Sequence, residues 1–250
     1  MSGLRDAVGF LTRVPTAGNG PPGSSAVPWF PLVGAGVGAI AGVLYAGAYQ
    51  IMPSPLAALV AVIGGILLTG AFHEDGFADT ADAIGSRLTG GGALDVMRDS
   101  RLGTYGSIAV VVSILWRVLA VAALSPLQGV AGLIMAHVLG RSAAVALMAT
   151  TEPARDDGLG HSGVMVVNRV GAAIAVLSGL VIAGMAGGWW LVPAVLMAAV
   201  GFVWLRKVAM ARFSGITGDV LGACEQLTEL AVIAVVAVVT WGGFDLWWAI

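Results

Sequence analysis

Seven mainly apolar stretches divide this chain, at about 29–51, 55–72, 104–124, 128–149, 170–187, 189–205 and 229–248. A helix needs roughly 20 such residues to cross the hydrocarbon core of a bilayer. A spanning segment must also satisfy its own backbone hydrogen bonds, which a helix does alone. Only 10% of the residues are charged and 58% are hydrophobic, whereas a soluble domain carries about 25% charge. Too little polar side chain remains to cover a water-facing surface. The expected fold is therefore all-α: a polytopic membrane bundle of about seven transmembrane helices, forming a single domain over 1–250. The 37 glycines, interleaved with Ala, Val, Ile and Leu, suit close helix contacts in lipid. The division of 170–187 from 189–205 rests on Gly187, Gly188 and the pair Trp189 and Trp190, because tryptophan favours the membrane interface.

The N-terminal residues are too polar for the core of a cleaved signal. Leu4, Ala7, Val8 and Leu11 follow i, i+3, i+4, i+7 spacing, so 1–14 reads as an amphipathic helix on the membrane surface. The single cysteine, Cys224, excludes an internal disulfide. A net charge of −2 gives no reason to expect a nucleic-acid partner.

Charge placement tests this plan independently. Arg5, Arg13, Arg87, Arg98, Arg101, Arg155, Arg169, Arg206, Lys207 and Arg212 all fall in alternate connections, while those near 53–55, 125–127 and 187–188 hold no Lys or Arg. The cation-rich side is cytoplasmic by the positive-inside rule. The N-terminus is then expected inside, the C-terminus outside, and the number of spans odd. Of the acids, Asp245 alone falls outside. Acids have little influence on topology, so their one-sidedness points to a site. Arg117 and Arg141 lie within spans. Arg117 reads as a structural ion pair; Arg141, nearer the cytoplasmic end, is expected to reach a cytoplasmic-facing cavity. His137, i−4 from Arg141, is expected to pack inside the bundle.

Four segments carry chemistry. The first is His73 to Asp82, HEDGFADTAD. On a helix, Asp75, Asp79 and Asp82 share one face, where their charges repel unless a cation offsets them. Hard carboxylate oxygens suit Mg²⁺, which is bound by a few carboxylates plus substrate phosphates. The plainer alternative is a solvated acidic helix start favoured by the dipole. His73 reads as a ligand, a base, or an interfacial hydrogen-bonding residue. The second segment is MRDSRLGTYG, 97–106. Arg98 and Arg101 flank Asp99 there, and arginine forks fit phosphate oxygens, although topology explains the same charges. The third is GITGDVLG, 215–222: glycine-rich backbone before a helix, able to cradle phosphate, with Asp219 as a further metal ligand. It lacks the Gly-Lys-Ser/Thr ending of a P-loop. The fourth, RDDGLG at 155–160, reads as a turn when taken alone. Together they suggest a membrane-embedded, Mg²⁺-dependent enzyme acting on a phosphate or diphosphate, since phosphoryl transfer needs positioning and charge neutralisation above all.

The chain also resembles the cobalamin synthase (adenosylcobinamide-GDP ribazoletransferase) family. The resemblance is carried by FLTRVP at 10–15, FPLVG at 30–34, HEDGFADTADA at 73–83, MRDSRLGTYG at 97–106, RDDGLG at 155–160 and TGDVLGA at 217–223. It implies the last assembly step of the cobalamin nucleotide loop. A ribose hydroxyl of α-ribazole, or of its 5′-phosphate, attacks the phosphate attached to cobinamide; GMP leaves and adenosylcobalamin, or its 5′-phosphate, forms. It further implies Mg²⁺ and residence in the cell membrane, with homo-oligomers and association with other late-pathway enzymes as further expectations. Under it, Asp75, Asp79, Asp82, Asp99 and Glu74 are expected at the metal. Arg98, Arg101, Arg141 and Arg155 are expected at phosphate, and Asp82, Asp219 and His73 in catalysis. Two positions depart from the family pattern. Glu74 stands where an apolar residue is common, and Glu225-Gln226 is shifted from an acidic position, so Glu225 is left out of the site.

Three other activities fit the sequence less well. A membrane prenyltransferase would want a second aspartate cluster, whereas Asp99 and Asp219 stand alone. A phosphatidyltransferase would want Ala-Arg where Ala78-Asp79 stands. A transporter would favour ionisable groups near the midplane, whereas the acids are expected at the membrane edge.

Overall fold

The computed structural model describes residues 2–16, 23–158 and 167–244. Ten α-helices lie among them: α1 Ser2–Leu11, α2 Phe30–Tyr49, α3 Ser54–Thr69, α4 Phe72–Gly85, α5 Gly91–Arg98, α6 Thr104–Ala122, α7 Pro126–Thr150, α8 Arg169–Gly187, α9 Leu191–Phe213 and α10 Gly218–Trp241. Their starts follow local chemistry. Pro sits in the first turn of α2, α3 and α7, where its missing N–H costs nothing. Ser125 and Gln128 form a reciprocal capping box at α7, satisfying two otherwise orphaned backbone donors.

Large apolar side chains point outward along the helices, among them Val43, Leu67, Leu119 and Val200, each more than 60% exposed. That outer surface suits lipid and no aqueous solvent. Five helical stretches are long and apolar enough to cross a bilayer, and the α3–α4 pair adds a sixth if taken as one bent span. One of the five, Arg169–Phe213, is 45 residues long, roughly 68 Å at 1.5 Å per residue and so twice a bilayer. It is broken where Gly188 turns to φ +57. Gly171, near the start of α8, lies beside Pro28, and Arg206, near the end of α9, binds Thr150 and Thr151. The pair therefore runs out and back as two spans, as the tryptophan pair suggested.

Two boundaries differ from expectation. The second apolar stretch stops at Thr69 because Gly70 and Ala71 both adopt left-handed conformations, φ +71 and +58. The chain turns by 90° there, and α4 departs at a right angle to α3. The last helix begins at Gly218 rather than near 229, which places Glu225 and Glu229 inside the bundle. The expectation that the acids stop at the membrane edge fails for these two and for Glu74, all buried. Asp245 lies outside the described residues.

The core forms on α7, which packs against α2, α8 and α10. Gly34, Gly38 and Gly42 make a stripe on α2, and a Cβ on each would come within 3.0 Å of α7 backbone. This is the small-residue contact that lets membrane helices approach. Helix α1 does more than lie on a surface. Ala7 and Leu11 are buried against the bundle, and the Arg13 N–H bonds the Leu68 carbonyl at 2.7 Å, tying the N-terminal arm to the end of α3.

Candidate active site

Helix α4 carries the first acidic motif across the end of the bundle where the other motif segments gather. It stands at a right angle to α3. Its close seating on α10 depends on Gly76, where an added Cβ would lie 2.9 Å from the Asp219 Cα and carbonyl oxygen. Gly76→Val is expected to cost about 1–3 kcal/mol by overpacking and to lower activity by prising Asp75 from Asp219. A thermal melt together with an assay checks both effects.

Four ties draw the segments together. Asp82 accepts the N–H of Gly103 and of Gly106, both at 2.8 Å, which pins the start of α6 to α4. Arg98 places one Nη on both oxygens of Asp157 at 2.8 Å. The loop 152–154 pairs with Ile216 through Ala154 N–H to Ile216 O at 2.8 Å and Ile216 N–H to Glu152 O at 2.9 Å. Beside that bridge, Arg155 approaches Asp219 at 3.4 Å. Thr217 caps α10 by accepting the Val220 N–H and donates its hydroxyl to Asp219 at 3.1 Å. Asp75, Gly76, Arg155, Asp157 and Asp219 line one cleft of about 190 Å³.

Electrostatics mark the same cluster. Asp79 is pushed up to about 7, first by burial and then by the carboxylates of Asp75, Asp219 and Asp82. Three neighbours of like charge make it a place that wants a cation. Asp99 behaves oppositely. It accepts Arg101 Nε at 3.0 Å, Arg101 Nη at 2.6 Å and the Arg101 backbone N–H, and its carboxyl falls to about 2. This pair is exposed and self-satisfied. The glycine at the end of RDDGLG, Gly160, lies outside the described residues.

Three expected site residues lie elsewhere. His73, Glu74 and Arg141 belong to a buried network inside the bundle. Arg117 binds Glu74 at 2.9 Å. Arg141, 1% exposed, binds Glu225 and also Glu229 at 2.7 Å. His73 contacts Glu225, and His137 contacts Glu229. Gln226 reaches Glu74 at 3.4 Å and accepts from Ser113. His137, Glu225 and Glu229 bring donor atoms within 4.8 Å of one another, but the Arg141 guanidinium already bridges the two carboxylates. Arg117 and His137 thus take the structural places expected of them, whereas Arg141 faces carboxylates rather than an open cavity. Glu225 and Glu229 were missed, although their i, i+4 spacing on an apolar helix mirrors His137 and Arg141 on α7.

Comparison with known proteins places the chain in a family. A family model described as cobalamin-5-phosphate synthase matches residues 3–237. An adenosylcobinamide-GDP ribazoletransferase of Bradyrhizobium diazoefficiens is 37% identical over 241 residues, covering 94% of this chain and 92% of the relative. One from Ralstonia nicotianae is 39% identical, covering 91% of each chain. One from Vibrio cholerae is 34% identical over 90% of this chain and 89% of the relative. No solved structure matches. These relatives favour none of the prenyl, phosphatidyl or transporter alternatives. With its model matched over nearly the whole length, the chain belongs to the cobalamin-5-phosphate synthase family.

Proposed function

We propose that this protein is an adenosylcobinamide-GDP ribazoletransferase, joining adenosylcobinamide-GDP to α-ribazole or its 5′-phosphate with loss of GMP. The convergence of three distant segments on the cleft of Asp75, Asp219 and Arg155, with the fourth tied to it through Arg98 and Asp157, carries this reading, alongside the relatives' names. A ribose hydroxyl attacks the phosphorus attached to cobinamide. The P–O bond to the GMP phosphate breaks, and the hydroxyl proton passes to a carboxylate, for which Asp219 stands nearest Arg155. Arg155 offsets charge on the departing phosphate.

The donor set fits Mg²⁺: carboxylate oxygens only, crowded enough to raise Asp79. Asp75 and Asp79 would hold it, with Asp219 beside them. Asp82 is engaged by Gly103 and Gly106, Asp99 by Arg101, and Glu74 by Arg117. Bound there, the cation would neutralise diphosphate charge. The direct test supplies purified protein with adenosylcobinamide-GDP, α-ribazole and Mg²⁺ and looks for GMP and a cobamide. No GMP under any divalent cation overturns the reading.

The raised Asp79 sets a pH dependence. At pH 6 its carboxyl is largely protonated, so a metal must displace a proton; at pH 8 it need not. Apparent Mg²⁺ affinity is expected to rise from pH 6 to 8 and then level off, which a titration at three pH values checks. The sign for folding is opposite. The metal-free fold binds this proton more tightly than the unfolded chain, so its stability falls as pH rises from about 4 to about 7.

The cell membrane, with the motif-bearing end in the cytoplasm, is part of the same proposal. A cysteine placed at Ser125, at the opposite end of α7, should react with an impermeant external reagent in intact cells. Protection of that cysteine would reverse the orientation.

A further inference from the structure

A lane-like groove runs along the outside of the bundle between α6 and α9, with α10 as its floor. It comprises two clefts that share Val112, one of about 530 Å³ at the motif-bearing end and one of about 570 Å³ beyond it. Arg212, Trp204, Met197 and Pro193 follow one another along its α9 wall, a run of about 28 Å, close to a hydrocarbon core of ~30 Å. The inner half is lined by apolar side chains such as Trp116, Leu230 and Val238. The mouth differs: Arg87 and Arg212 both line it, and no carboxylate among the described residues does. Arg87 is exposed and makes no ion pair among the described residues, while Arg212 gives one N–H to the Leu88 carbonyl at 3.2 Å. The Thr80 hydroxyl, in the same wall and 2% exposed, has no hydrogen-bond partner among the described residues.

We propose that this lane binds an anionic phospholipid, its phosphate at Arg87 and Arg212 and an acyl chain running past Trp204 and Val112. Basic pockets between transmembrane helices select such head groups, and two arginines without an acid leave the mouth's charge unanswered. The reacting diphosphate is not the occupant. Phe77, Thr80 and Ile84 lie on the face of α4 opposite Asp75, Asp79 and Asp82, so the helix itself separates lane from cleft. The lipid therefore braces the back of the helix whose front carries the acids.

The test uses the full chain purified in detergent, given equal phosphatidylglycerol and phosphatidylcholine, with retained lipid read by native mass spectrometry. Phosphatidylglycerol should be retained in preference. Arg87→Gln should weaken retention about five-fold and the Arg87→Gln/Arg212→Gln pair about 30-fold. Because Arg212 also ties down Leu88, Ala231→Trp provides a second variant. It fills the lane away from both arginines and should expel the acyl chain with the melting temperature unchanged. Equal retention of the two lipids, or wild-type retention in every variant, overturns the proposal. So does a disulfide between Trp116→Cys in one copy and Met197→Cys in another, which would make a second copy the occupant. Lipid retention is read without turnover, so this result stands apart from that of the transferase assay.

Discussion

Arg141→Met is expected to destabilise the protein by about 3–5 kcal/mol, the usual consequence of leaving a buried charge uncompensated. The guanidinium is 1% exposed and answers both Glu225 and Glu229. Without it, three carboxylates inside the bundle face only Arg117 and two histidines. The loss should appear as a sharp fall in the detergent melting temperature and in folded yield. Arg141→Met/Glu225→Gln should recover a substantial part, because removing both partners costs far less than removing one. A single variant as stable as wild type would refute the network's role. Any folded Arg141→Met protein should keep its KM for the diphosphate substrate, since Arg141 meets carboxylates rather than the cleft.

Asp79→Asn is expected to move stability and activity in opposite directions. Its carboxylate lies among Asp75, Asp82 and Asp219 and is pushed up to about 7, so a neutral amide relieves repulsion in the metal-free protein. The melting temperature without metal should hold or rise at pH 8. Turnover should fall by about 10²–10³-fold, as a cation site worth several kcal/mol in the transition state loses a ligand. Activity tends to be kept at such a stability cost in functional clusters. Full activity in this variant would remove Asp79 from the metal site, whereas a lower metal-free melting temperature would mean the amide had broken packing.

Much of this was legible in the chain. Apolar length gave most of the helices long enough to span, and the Trp pair gave the turn between α8 and α9, because those signals are local. The i, i+4, i+7 aspartates announced a shared helical face. Local signals could not reveal partners. Nothing in DTAD says that Asp82 would take the N–H groups of Gly103 and Gly106, or in RDD that Arg155 would meet Asp219. The buried network was hidden for a different reason. With the last apolar span starting near 229, Glu225 fell in the connection before it, and its departure from the family pattern left it out of the site, so its i, i+4 relation to Glu229 carried no weight. The same boundary made the acids look confined to the edge. The right-angle turn at Gly70–Ala71 was equally invisible, since alanine gives no warning of a left-handed conformation.

That turn restricts the direction from which the reaction can proceed. With α4 at a right angle to α3, Asp75 stands exposed on one face while Phe77, Thr80 and Ile84 on the other line the cleft against α6 and α9. In-line displacement places the incoming oxygen and the departing oxygen on opposite sides of the phosphorus. Because α6 and α10 pack against α4, both oxygens have to reach the phosphorus from the acidic face of the helix.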